Sequence, residues 1–550
     1  MGQPSDRARR RPPGAHRAQH GGALQPQQSA PQASPSPAGA AGSRRGPQAA
    51  DVAAAGESAR GSHITRRKLL FAGGGIAAAL VGLERLDHLT LTPMRVRPEA
   101  ASTSALPDIQ FDIGRFLAPA QTLNDGGGNV VTQFGPVHTL FATATLSSRP
   151  TVHDQVQLAN ALASIERAYS FSPGGVFTFV AYGLPYFQRF STRLFHQRVP
   201  RLASDHTRFV LEEAVPSPTD VSSANPGITK ARFNVPVRIE SNDMLFTIRS
   251  DNAAHTTDVM RFLAGSNSLA GRTTPSPRLS CGLRFTSARS EFVQIGLPRK
   301  VADANNLSFA SEVNPDSPMW MGFLDQQTDG AGPAAITTFV GNSSAKITTA
   351  QSGDYFDNGS IQHLSHNIED LAQFYDQNPP NGGDPETFTE RVQYMFRSNP
   401  IPSAGNTDQF TNGGGPAYFD NVFQGTGDAA ANAQGINTFQ GGHRMGHLTA
   451  LQRSSRAADG TPMHIRADGP GFDSMDVPDG SNQPKLQFTQ FMPSAEFFRQ
   501  MRVNQASLDL CSQFGVDDSD NGLERFLTAT RRQNFLVPPR RHRAFPFAEL

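Results

Sequence analysis

One pattern constrains this chain more than any other, and it occurs twice. "TLFATATL" (139–146) is a run of β-branched and aromatic residues. It is followed by "TVHDQVQLANALASIERAY", in which Val152, Val156, Ala159 and Ala163 recur at helical spacing, and then by the strand-like "VFTFVAYGL" (176–184). A further unit follows, "NDMLFTIRS" and then "AAHTTDVMRFLAG". Later, "IQHLSHNIEDLAQFYDQ" reads as strand into helix, "KLQFTQFM" (485–492) as a strand, "SAEFFRQMRVNQASLDLC" as an amphipathic helix and "NFLVPP" as a closing strand. Strand, helix and strand joined to a second such unit give the split β-α-β arrangement of ferredoxin-like domains. The expected fold class is therefore α+β: two ferredoxin-like halves of the dimeric α/β-barrel type, with antiparallel sheets and packed helices. The first half is expected over 106–330 and the second over 331–550.

The ends of the pattern are set by composition. Residues 1–62 are mostly Ala, Pro, Gln, Ser, Gly and Arg, a basic stretch that cannot bury enough apolar surface to offset chain entropy, and a disordered tail is expected there. Arg66 and Arg67 then precede an apolar, Gly/Ala-rich run from Leu69 to Leu83. That run is shorter than the roughly twenty residues a membrane span needs. Twin arginines ahead of such a run resemble a twin-arginine export signal, so 63–105 is expected to be a signal segment and linker, with the twin-arginine translocation machinery as a partner. This makes the destination extracellular, periplasmic or the cell envelope. Residues 376–440 are too rich in Gly, Asn and Pro for regular structure and read as an insertion in the second half.

With 49 basic and 48 acidic residues among 550, the chain carries no field that would mark a nucleic-acid binder. Cys281 and Cys511 lie far apart and form no C-x-x-C, which excludes a thiolate-built zinc or iron–sulfur centre. Whether they pair or serve as small buried apolar residues is open from sequence. There is no G-x-S-x-G, no H-E-x-x-H, no phosphate-binding loop and no G-x-G-x-x-G after a strand. The glycines of "DGGGNV" (125–130) read as a turn.

Two stretches remain: "NPDSPMWMGFLDQQTDG" (314–330) and "GHLTALQRSSRAADGTPMHIRADGPGF" (446–472). "GFLDQ" (322–326) resembles the G-x-x-D-G motif of dye-decolorising haem peroxidases, with Gln326 in place of the last glycine. His447 in "GHLTAL" resembles the segment bearing that family's proximal haem ligand. "HIRADGPGF" resembles the strand-end segment with its distal arginine, here Arg466. "LQFTQFMPSAEFFRQM", "NFLVPP" and "VFTFVAYGLPYFQRF" are similar to further strands and helices of the same family, and the similarity runs over most of residues 108–550 as order and spacing.

The resemblance implies haem b as cofactor, hydrogen peroxide and a small-molecule reductant as substrates, and a tendency of the halves to associate into a homo-oligomer. It implies His447 as the iron ligand, Asp325 and Arg466 as catalytic and haem-binding residues, and Asp468 as a second polar group on the distal side. The residue types suit that chemistry. A neutral imidazole can ligate iron while its other ring nitrogen is held by a neighbour. A carboxylate can move a proton between the peroxide oxygens, and an always-protonated guanidinium can stabilise the departing hydroxide. His443 and His464 rival His447, and Asp329 rivals Asp325. Trp320 and Tyr394 read either as core aromatics or as an electron relay. Gln326 leaves two other outcomes open, a haem-binding protein of this fold without a peroxidase cycle and an exported structural protein with no cofactor.

Overall fold

The computed structural model describes residues 86, 89–90, 106–119, 121–124, 129–132, 134–322, 334–341, 347–376, 464–506, 508, 511–512, 515 and 522–550. The tail, the twin-arginine segment, the 377–440 part of the expected insertion, and Asp325, Gln326, Asp329, Tyr394, His443 and His447 lie outside the described residues.

Both repeats seen in the sequence form the same topological unit. In the first half the order along the chain is β1 (His138–Thr145), α1 (Val152–Ala168), β2 (Phe177–Gly183), β3 (Met244–Ser250), α2 (Ala253–Leu263) and β4 (Arg284–Phe292). The strands stand in the antiparallel order β2-β3-β1-β4. In the second half β5 (Ser360–Glu369) is followed by the edge pieces β6 (Ile465–Arg466) and β7 (Gly469–Asp473), then β8 (Gln483–Met492), α4 (Ala495–Ala506, with α3 being Leu297–Ala304 at the end of the first half) and β9 (Leu527–Val537). Their order, β6/β7-β8-β5-β9, repeats that of the first half with antiparallel pairings, and the two-residue strand Arg238–Ile239 adds to β9 in parallel. The α+β, twice ferredoxin-like expectation is met.

Local chemistry sets these elements. Helix α1 starts at a capping box: Asp154 N–H donates to Thr151 Oγ1 at 3.2 Å, and Thr151 N–H donates to Asp154 Oδ2 at 2.9 Å. Its buried stripe is Leu158, Ala161, Leu162 and Ile165, the i, i+3, i+4, i+7 spacing of a helix face. This corrects the face expected from Val152 and Val156, which are exposed. The reason is the cap: anchoring Asp154 to Ser280 (Ser280 N–H to Oδ1, 2.5 Å) turns the helix so that Leu158 and Leu162 meet the sheet. Strand β4 and helix α3 carry no sequence signal that the reading above used. The closing strand also starts seven residues earlier than "NFLVPP", because the adjacent Arg531 and Arg532 make Leu527–Gln533 look polar, and their buried partners Asp476 and Asp220 are distant in sequence.

The two halves share one sheet. Their junction is short: β9 pairs with β2 only at Phe535↔Gly183 and Leu536↔Tyr182. Gly183 permits it, since a Cβ there would sit 2.2 Å from the Asn242 carbonyl oxygen. The sheet curls until β7 lies against β4, where a Cβ on Gly471 would be 2.8 Å from the Ser290 carbonyl and one on Gly469 would be 2.5 Å from Val293 Cγ2. Trp320 crosses the same seam and donates Nε1–H to the Gly471 carbonyl at 2.9 Å.

One face of the sheet, lined by Leu140, Phe246, Ile361 and Met492, packs against the helices. The other carries Phe141, Phe179, Leu364, Phe491 and Phe535. The segment after β9 folds back over the first half. Tyr182 Oη–H donates to the Arg543 carbonyl and Tyr186 Oη–H to the Pro546 carbonyl, both at 2.7 Å, and Phe545 and Phe547 are fully buried. Cys281 and Cys511 are free thiols, both buried.

Candidate functional site

His464, Arg466 and Asp468 stand at alternate positions along β6 and its continuation, so they leave the same face of the sheet. The register fixes which face. Arg466 is opposite Gln490, Gln490 opposite His363, and His363 opposite Asn534, which gives one row across four strands on the helix-packed side. Helix α4 covers the inner part of this row, with Phe498 stacked on the His363 ring (centroids 3.4 Å) and Phe497 5.9 Å from the His464 ring. Arg466 and Asp468 remain partly exposed beyond it. Burial raises the Asp468 carboxyl above its ordinary pKa, and the Arg466 charge opposes that shift.

The covered part of the row holds a network that the sequence reading missed. His363 Nδ1 lies 2.7 Å from Asn534 Oδ1 and its Nε2 2.5 Å from Ser365 Oγ. Arg532 donates Nη1–H to Ser365 Oγ at 2.9 Å and grips Asp220 with a two-pronged contact of 2.7 and 2.8 Å. Arg502 and Glu524 pair alongside at 2.8 Å. Burial and the Arg532 charge push the His363 imidazole well below its usual pKa, so it is neutral. Burial pulls Asp220 upward, but the Arg532 charge and N–H groups outweigh it and hold the carboxylate low.

Serine, histidine and amide in this order have the connectivity of a nucleophile, its base and an orienting group. Here Ser365 is fully buried and Phe498 lies flat on the imidazole, so the arrangement ties the strands to α4 rather than presenting a nucleophile. The legible signal was the "HLSH" alternation, which puts His363 and Ser365 on one face and His366 on the other.

Of the residues named from sequence, Arg466, Asp468 and the rival His464 are together on one face. His447, Asp325, Asp329 and His443 lie outside the described residues. Trp320 is a core residue, 1% exposed, packed at 5.9 Å on Phe292. Among the described residues no group of three or more His, Cys, Asp and Glu side chains is arranged to hold a metal ion. An open cleft of about 160 Å³ bounded by His196, Arg198, Arg201, Asp354 and Tyr355 contains none of the expected site residues.

No curated protein matches the chain. Among solved structures, a Rhodococcus jostii RHA1 DypB variant in complex with heme is 12% identical over 75% of this chain and 96% of its own, with a TM-score of 0.42. The encapsulated DyP-type peroxidase from Mycobacterium smegmatis is 14% identical over 74% and 94%, with a TM-score of 0.40. A dye-decolorizing peroxidase from Bacteroides thetaiotaomicron VPI-5482 is 12% identical over 74% and 94%, also at 0.40. Likeness of this degree assigns neither activity nor cofactor. The family of unknown function DUF7405 matches residues 136–539, which span both ferredoxin-like halves, and the chain belongs to that family.

Proposed function

We propose that this protein is an exported haem peroxidase of the dye-decolorising type, reducing hydrogen peroxide and oxidising an organic reductant. The observation that carries the reading is the shared face of Arg466 and Asp468. A guanidinium and a carboxyl of raised pKa stand two residues apart at the rim of the second half, partly exposed, while His363 and Asn534 further along the row are consumed in buried bonds. Gln490 Oε1, buried and without a hydrogen-bond partner, adds an acceptor opposite Arg466. This donor set fits the distal side of haem b, which when bound would supply the redox chemistry.

The roles follow from the residues. Arg466 keeps its charge at every working pH and would hold the negative charge developing on the leaving hydroxide. Asp325 would move the proton between the peroxide oxygens, and Asp468, biased toward its protonated form, would assist as a donor. His447 would supply the axial imidazole. The twin-arginine segment at Arg66 and Arg67 would export the protein after folding around its cofactor.

The test is an absorption spectrum of the full chain reconstituted with haem, wild type beside His447→Ala, followed by peroxide-dependent dye oxidation by Arg466→Leu. A Soret band lost in His447→Ala and turnover reduced at least a hundredfold in Arg466→Leu, about 3 kcal/mol of transition-state stabilisation, are expected. A colourless wild type overturns the reading. A Soret band without turnover leaves a haem-binding protein with no peroxidase cycle.

A further inference from the structure

Three described residues, Leu86, Leu89 and Thr90, stand inside the stretch that the sequence assigns to signal and linker. They form one helical turn, in which the Leu86 carbonyl accepts from the Leu89 N–H at 2.9 Å, the Thr90 N–H at 3.1 Å and the Thr90 hydroxyl at 2.9 Å. The turn is built into the body of the protein. Leu86 is 5% exposed and belongs to a buried apolar cluster with Phe292, Leu297, Val301, Phe309 and Trp320, against which Leu89 also packs. The Thr90 hydroxyl spends its only proton on Leu86, so at 3.3 Å it accepts from the Nε2–H of His138, a fully buried residue at the start of β1.

Both halves supply this cluster. Phe292 ends β4 and Leu297 and Val301 lie on α3, whereas Leu371, Phe374 and Phe526 come from the second half. The place that holds Leu86 therefore exists only in the finished fold, and pulling the turn away would return apolar surface to water.

Sequence position gives the contact its meaning. Only Glu84 and Arg85 separate the apolar run Leu69–Leu83 from Leu86. A leader is ordinarily cut just after its apolar run, at small side chains. The first alanine, glycine or serine beyond this run is Ala100, well past the buried turn. A peptidase also takes its substrate as an extended strand with free backbone groups, and the backbone from Leu86 to Thr90 is wound and bonded.

We infer that the Leu86–Thr90 turn anchors the leader to the folded body, and that the run Leu69–Leu83 is retained in the finished protein instead of being removed. A retained apolar run keeps the exported protein at the membrane. The inference rests on the export reading for the route alone; the docking of the turn needs neither export nor haem.

The full chain with a carboxy-terminal tag is produced in a bacterium that has the twin-arginine route, and the exported protein is measured intact by mass spectrometry. The expected product still carries Leu69–Leu83 and sediments with membranes; a product that begins after Leu83 overturns the inference. In parallel, the full chain purified from a strain without that route is treated with trypsin, for which Arg85–Leu86 is a cleavable bond. That bond is expected to be cut at least about tenfold more slowly in wild type than in the double variant Leu86→Ala, Leu89→Ala, because cutting has to wait for the turn to open. Thr90→Val, which keeps both leucines and loses the bond to His138, is expected to fall between them, and it carries the comparison if the double variant does not fold. Equal rates in wild type and variants overturn the anchoring. A chain that never leaves the cytoplasm defeats the export reading, and the trypsin rates then decide the anchoring by themselves.

Discussion

Glu369, at the end of β5, is the simplest electrostatic lever in the fold. It is 5% exposed, Oε2 has no hydrogen-bond partner, and burial alone raises its pKa from 4.5 to about 8. The native state therefore keeps a proton that the unfolded chain releases above 4.5. Between about pH 4.5 and 8 the native state binds more protons than the unfolded one, so stability falls as pH rises. Each pH unit in that window costs about 1.4 kcal/mol, which puts the full cost above pH 8 at roughly 4 to 5 kcal/mol.

Glu369→Gln keeps the shape and removes the titration. Urea unfolding of wild type and variant at half-unit steps from pH 4 to 9 measures the effect. The two curves are expected to coincide near pH 4.5 and to separate steadily until the variant is more stable by several kcal/mol at pH 8. Curves that stay parallel across the window would refute the account, because they would show that the carboxyl ionises as readily in the native state as in the unfolded one.

Asp220→Ala leaves Arg532 buried with its charge unmatched. It should cost about 3 to 5 kcal/mol in urea unfolding, far more than Ala at an exposed carboxylate such as Asp316. Gly183→Ala drives a Cβ into the Asn242 carbonyl at the junction of the halves. Backbone cannot yield as a flexible side chain does, so a loss of about 3 kcal/mol or failure to fold is expected, read by the urea midpoint and soluble yield.

The elements readable from sequence were those whose signal is local. β1, β2, β3, α2, β5, β8 and α4 announce themselves by β-branched runs or by amphipathic spacing, and all are present. The two ferredoxin-like units follow from their order. What sequence concealed depends on partners far along the chain. Strand β4 (RFTSARSEF) looks polar, because Arg289 and Glu291 are buried only once the sheet curls to enclose them. The charged start of β9 hides for the same reason, since Arg531 and Arg532 meet Asp476 and Asp220 only in the folded sheet. The face of α1 was misjudged because Val152 and Val156 are as apolar as Leu158 and Leu162, and the cap at Thr151 decides between them. Of the expected site, Arg466 and Asp468 were named through the resemblance of their segment to a family's strand end, and the structure shows their common face. Of the network of His363, Ser365 and Arg532 only the alternation of His363 and Ser365 was there to be read, because nothing local distinguishes a buried polar face from a solvated one.

The tail laid over Tyr182 and Tyr186 bears on the order in which the protein can be made. Tyr182 is satisfied by Arg543 and Phe545, some 360 residues further along the chain. While a ribosome is still building the second half, the first has its strands but lacks the two phenylalanines and the carbonyl groups that close its core. The first half therefore has to wait, partly formed and with apolar surface uncovered, until residues 543–548 emerge. A fragment ending near residue 330 should be a substrate for chaperones rather than a domain. Any export route that requires a folded passenger could accept this one only after translation has passed its second half.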